Sequence, residues 1–242
     1  MQEKLSFRVN SEIYPPEKEK ANKETVWEHY FGRKIAFLIA PFFLKINASA
    51  NQISILSIFA GVVGAIFILA GQYWQVIFGA CLIQVWLILD KTDGLVARYR
   101  NQVSSFGKFL EELNGEMMAV LFFSSIGFAA SQNPGFLPGF LDISPSIFLT
   151  MGLLTSLSII FRHLINRHLE SVFGGSDGVS VGGNILYKII IKFLGIYSLA
   201  HPIFILAAIF NFLGLYTAAY FLGQVIVMLG SVIFAIQRAS RI

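Results

Sequence analysis

Apolar residues run along this chain in blocks of about twenty, parted by short polar interruptions, at roughly 51–71, 73–90, 106–130, 143–164, 195–213 and 216–237. Each block is long enough to cross about 30 Å of hydrocarbon as a helix. The pattern therefore predicts an all-α integral membrane protein with six transmembrane helices. One further apolar stretch, "RKIAFLIAPFFLKI" at 33–46, is too short to cross, contains Pro41 and is bracketed by basic residues. It reads as an N-terminal interfacial amphipathic helix lying along the membrane surface. "ILYKIIIKFLG" at 185–195, with Lys188 and Lys192 one turn apart, reads as a second such piece.

Charge then orients the spans. With a cytoplasmic N-terminus, the connections "GQYW", "SQNPGFLPGFLDIS" and "FNFLGLYT" lie outside and contain no Lys or Arg. All 18 basic residues then fall at or near the inner face, as the positive-inside rule expects, and both termini are cytoplasmic. Composition agrees with this multi-pass reading, since 55% of the 242 residues are hydrophobic and only 13% charged, about half the charge of a soluble domain. Residues 1–34 are strongly charged and lack an apolar core, so no cleavable signal is expected there. A lone Cys81 forms no disulfide framework. The net charge of +4 is accounted for by topology, and no nucleic-acid partner is expected. "GGSDGVSVGG" at 174–183 lacks the GK[ST] of a phosphate-binding loop and reads as a flexible connection.

Against this apolar background, "LDKTDGLVARYRNQVSSFGKFLEELNGE" at 89–116 sets five carboxylates at a membrane edge: Asp90, Asp93, Glu111, Glu112 and Glu116. At about 100° per residue, Asp90, Asp93 and Ala97 share an arc of about 60° at the end of the second span. On the third span Gly107 and Gly115 lie about 40° to either side of Glu111, a face that leaves a cavity beside one acid. Ionised groups at membrane depth cost several kcal/mol unless paired or hydrated, and clustered acids repel one another. Divalent cations answer both problems. The donors are hard oxygens with no accompanying Cys or His, which suits two Mg²⁺ or Mn²⁺ ions and phosphoryl chemistry. A plainer reading has Asp90 and Asp93 paired with Lys91, Arg98 or Arg100, and Glu112 and Glu116 in the headgroup water layer.

The run Asp90-x2-Asp93-Gly94-x2-Ala97-Arg98-x8-Gly107-x3-Glu111 resembles the signature of the CDP-alcohol phosphotransferases (CDP-alcohol phosphatidyltransferases), D-x2-D-G-x2-A-R-x8-G-x3-D-x3-D. "NASANQISILS" also resembles the segment that opens the first span in that family, with Asn51 and Ser54 retained and Ala50 where proline is usual. The resemblance implies an enzyme of phospholipid synthesis that moves a substituted phosphate from a CDP-linked donor, CDP-diacylglycerol or another CDP-alcohol, to an alcohol acceptor with release of CMP. By position, Asp90, Asp93 and Glu111 would hold the metals, and Gly94, Ala97 and Gly107 would leave room for the donor. Arg98 would meet donor phosphate, with Asn51 and Ser104 beside the donor. On this reading 1–50 is a cytoplasmic segment with its interfacial helix, and 51–242 is a six-helix transmembrane catalytic domain. Membrane lipids are its surroundings, and a homodimer is left open.

Two positions depart from the signature. Glu111 keeps the charge of the aspartate it replaces, whereas Gly115 stands where the family has its general base. Three accounts are open: Glu116 or Glu112 supplies the base; a one-residue slip such as a π-bulge makes Glu112 and Glu116 the functional pair; or the chain binds a CDP-linked ligand or metal without turnover. Arg162 and Arg167, in "RHLINRHLE" after the fourth span, are candidates for an acceptor phosphate, though positive-inside anchoring explains them equally well. His201, beside Pro202, reads as a hydrogen-bonded histidine at a proline kink. A transporter is the runner-up, disfavoured because the acids gather at one face and no inverted repeat is visible.

Overall fold

A computed structural model describes residues 27–137, 143–173 and 199–240, and among them every regular element is helical. A π-helical turn at Glu28–Gly32 leads into α1 (Arg33–Lys45), followed by α2 (Ala50–Leu69), α3 (Tyr73–Tyr99), α4 (Ser105–Gln132), α5 (Pro145–Phe173), α6 (His201–Ile209) and α7 (Leu213–Ala239). Five of these, α2 to α5 and α7, contain stretches long and apolar enough to cross a membrane.

The expected fifth span lies only partly within the described residues. Of residues 195–213, the first three and Ser198 lie outside the described residues, Leu199 and Ala200 form a π turn, and the α-helix proper runs only from His201 to Ile209. Pro202 sits in its first turn, where the missing N–H is harmless. The second interfacial piece at 185–195 and the glycine-rich stretch at 174–183 also lie outside the described residues.

Small residues bring the long helices together. A Cβ on Gly79 of α3 would meet the Gly64 carbonyl of α2 at 2.6 Å, and one on Gly127 of α4 would meet the Cα of Gly152 in α5 at 2.7 Å. Backbones can approach that closely only where side chains are absent, the usual solution when lipid removes the hydrophobic drive for helices to associate. Around these crossings Trp86, Phe122, Phe204, Ile83 and Met118 fill a fully buried core. α1 lies against α3 with Ala36 and Ala40 inward, anchored where the Trp27 indole donates to Gln84 Oε1 at 2.9 Å, while Leu38 and Phe42 point outward.

His201 is buried in this core with its ring 4.6 Å from Phe122 and 5.7 Å from Trp86. Neither ring nitrogen has a hydrogen-bond partner among the described residues, so aromatic packing replaces the hydrogen bond expected of it. Packing of neighbouring rings holds the histidine here.

Candidate active site

Two tight turns at one end of the bundle assemble the motif. Asn47 links α1 to α2 at φ 59°, and Asn101 links α3 to α4 at φ 54°; both occupy the left-handed region that asparagine tolerates better than most residues. Arg100 donates to Asn47 Oδ1 at 3.0 Å and ties the turns together. α2 starts with a capping box, in which Ser49 Oγ accepts from the Gln52 amide and Gln52 Oε1 accepts from the Ser49 amide. α4 starts with Ser104, whose hydroxyl accepts from the Gly107 amide at 3.0 Å. Hence the start of α2, the last turns of α3 and the start of α4 meet at one end.

Asp90 and Asp93 sit in those last turns of α3, with only 4% and 7% of their surface exposed. Asp93 Oδ2 accepts from the Ser54 hydroxyl of α2 at 2.5 Å, and Asp90 Oδ1 accepts from the Asn114 amide of α4 at 2.9 Å. The plainer pairing holds in one instance, since Lys91 Nζ lies 3.1 Å from Asp90 Oδ2. Glu111, on the outside of α4, is near enough to Asp93 for the two charges to interact, as is Asp90. As the side chains stand, no three His, Cys, Asp or Glu among the described residues are gathered tightly enough to enclose an ion. The donor chemistry nonetheless fits a divalent cation: Asp90 and Glu111 are each within electrostatic reach of Asp93, two of the three carboxylates are buried, and the donors are oxygens throughout.

The neighbouring positions fall close by. A Cβ on Gly94 would come within 3.2 Å of the Arg98 guanidinium, which therefore folds back over the bare backbone one turn earlier. Ala97 beside it is half-buried. At the mouth, a Cβ on Gly107 would lie 3.3 Å from Ser104 Oγ and 4.0 Å from Asn51 Oδ1, so Asn51, Ser104 and Gly107 are neighbours across α2 and α4. Ser104 is exposed and has a structural duty as a helix cap.

Arg167 of α5 reaches both candidate bases on α4, lying 2.8 Å from Glu116 Oε1 and 3.3 Å from Glu112 Oε2. The sequence reading placed these residues in separate roles and did not foresee the contact. Arg162, half-buried, has its guanidinium 3.5 Å from His163 Nε2 and is not part of that cluster. α4 is regular α-helix from Ser105 to Gln132, without the π-bulge that the slipped register invoked. Asn114, Trp86 and Ser57 are the polar residues that sequence reasoning passed over; an asparagine three positions after a motif acid, inside an apolar span, was the available signal.

Residues 47–237 match the family model for CDP-alcohol phosphatidyltransferase. The chain belongs to that family. As a CDP-alcohol phosphatidyltransferase family member it is a membrane transferase of substituted phosphate groups that draws on a CDP-linked donor in phospholipid synthesis. The fold agrees. The phosphatidylinositol phosphate synthase of Mycobacterium tuberculosis in its apo form superposes with a TM-score of 0.52 at 20% identity, covering 84% of this chain and 93% of that one. The same enzyme with manganese and citrate gives 0.55 at 19% identity over 85% and 87% of the two chains. With CDP-DAG bound it gives 0.52 at 18% identity over 86% and 92%. No curated protein matches the chain.

Proposed function

We propose that the protein transfers a phosphatidyl-type group from CDP-diacylglycerol, or a related CDP-alcohol, to an alcohol acceptor at the cytoplasmic membrane face. The observation that carries this is the pair of buried carboxylates, Asp90 and Asp93, aimed from one face of α3 and held from two sides by Ser54 and Asn114. Asp90, Asp93 and Glu111 would hold two Mg²⁺ or Mn²⁺ ions, which when bound neutralise the donor diphosphate. Arg98 meets donor phosphate over the open surface at Gly94 and Ala97, and Asn51, Ser104 and Gly107 border the cytidine side.

The acceptor hydroxyl oxygen attacks the donor phosphorus next to diacylglycerol, a new P–O bond forms, and the bond to the CMP phosphate breaks. Glu116, with Glu112 as its neighbour, takes the hydroxyl proton in place of the absent aspartate at Gly115. Arg167 fixes both carboxylates, and it and Arg162 would serve an acceptor phosphate. An uninterrupted α4 favours this in-register reading over the slip.

Binding of CDP-diacylglycerol to the purified protein is expected to require Mn²⁺ or Mg²⁺ and to disappear with chelator. Equal binding with and without chelator would contradict the metal site.

The domain division at 50/51, the six crossings and the cytoplasmic termini belong to the same proposal. A cysteine introduced at Ser104 is expected to react only with reagent on the cytoplasmic side, and one at Gly135 only from outside, given the placement of all 18 basic residues. Reaction of both from one side would refute the six-span topology.

A further inference from the structure

We propose that Asn114 is the positioning residue that aims the first motif aspartate, Asp90, at the metal ions, an inference that rests on the metal-site reading above. Asn114 is 1% exposed, in α4, and every polar atom of its amide is used. The indole N–H of Trp86 can only donate, and it lies 3.0 Å from Asn114 Oδ1. That contact decides the amide's orientation. With Oδ1 committed to Trp86, the amino group must face the other way, where it donates to Asp90 Oδ1 at 2.9 Å and to Ser57 Oγ at 3.2 Å.

The second aspartate is held from α2 by a different group. Ser57, having accepted from Asn114, sends its own proton to the Ser54 carbonyl at 2.8 Å, and the Ser54 hydroxyl meets Asp93 Oδ2. A buried polar cluster therefore joins the Trp86 ring, Asn114, Asp90 and Ser57 across α2, α3 and α4, while Asp93 is held separately by the Ser54 hydroxyl. Oxygens that engage a metal are generally oriented by such outer partners, whose loss typically weakens the metal by about 10–100-fold. With the amide bond fixing Oδ1 of Asp90, the carboxylate would be held in the orientation that offers it to an ion.

A purely structural role, polar glue between helices, is the competing explanation. The two separate in one double substitution. Asn114→Leu keeps the approximate shape but removes Oδ1, the oxygen that accepts from the buried Trp86 N–H, which lowers Tm; adding Trp86→Phe removes that donor as well and restores part of the loss. Mn²⁺ affinity answers differently, because neither variant returns a donor to Asp90.

The experiment is Mn²⁺ titration of the purified protein in detergent, followed by electron paramagnetic resonance, with Tm measured on the same samples. Asn114→Leu is expected to raise the Mn²⁺ Kd by about 10–100-fold and to change the spectrum of the bound ion. The Trp86→Phe/Asn114→Leu protein is expected to recover Tm while staying equally weak for Mn²⁺. Phe148→Leu, a packing change near the opposite end of α4, provides a protein of lowered Tm with unchanged Mn²⁺ affinity. If Asn114→Leu binds Mn²⁺ as the parent does, or if affinity returns with Tm in the double variant, Asn114 does not position Asp90. A parent protein that binds no Mn²⁺ overturns the metal-site reading itself, and this inference with it.

Discussion

Asp93→Asn is expected to abolish Mn²⁺-dependent binding of CDP-diacylglycerol and to lower CMP release by on the order of 10³-fold or more, equivalent to ~4 kcal/mol of lost charge stabilisation. The substitution is informative because it spares the local structure. An amide oxygen at position 93 still accepts from the Ser54 hydroxyl, so the α2–α3 contact survives while the negative charge goes. Glu111→Gln is expected to move in the same direction, since Glu111 is the acid on α4 within reach of Asp93. A slipped register would leave Glu111→Gln tolerant and would transfer the loss to Glu112→Gln and Glu116→Gln. Isothermal titration with Mn²⁺, paired with a donor-binding measurement on each variant, separates these results.

A different pattern is expected from the proposed base. Glu116→Gln should lower kcat by about 10²–10⁴-fold while leaving donor affinity and its metal requirement unchanged, as for a group that acts on the acceptor proton alone. Gln still accepts a hydrogen bond from Arg167, so the α4–α5 contact is retained and a fall in kcat cannot be assigned to a displaced helix. Glu112→Gln serves as the comparison, because the same Arg167 holds it at the longer distance of 3.3 Å. If neither substitution changes kcat, the proton leaves by another route and the base assignment is wrong.

Much of this was readable before any coordinates, for reasons that differ by residue. Five of the six apolar blocks announced themselves because span length and hydropathy are local properties, and Asp90 and Asp93 could be placed on one face because helical periodicity is local too. Ser104 and Ser49 are cap residues by position, although only Ser104 entered the sequence reading, and that for donor binding. The contacts that depend on which helices meet were not legible. Arg167 reaches Glu112 and Glu116 because α5 packs on α4 through Gly127 and Gly152, a crossing that no periodicity specifies. Asn114 looked like one polar residue in an apolar stretch until Trp86, Ser57 and Asp90 were seen around it. His201 was expected to satisfy its nitrogens, and aromatic rings surround it instead. Of the fifth apolar block, only Leu199 onward lies within the described residues.

The loss of the usual base at Gly115 makes turnover, more than donor binding, the central claim. It is tested most directly by measuring CMP release from CDP-diacylglycerol by the reconstituted parent protein, across a panel of alcohol acceptors, with Mn²⁺ and with chelator. Release that requires both an acceptor and Mn²⁺ is the predicted result. Donor binding without CMP release for any acceptor, combined with release once Gly115→Asp is introduced, would contradict it and make the natural chain a binding protein.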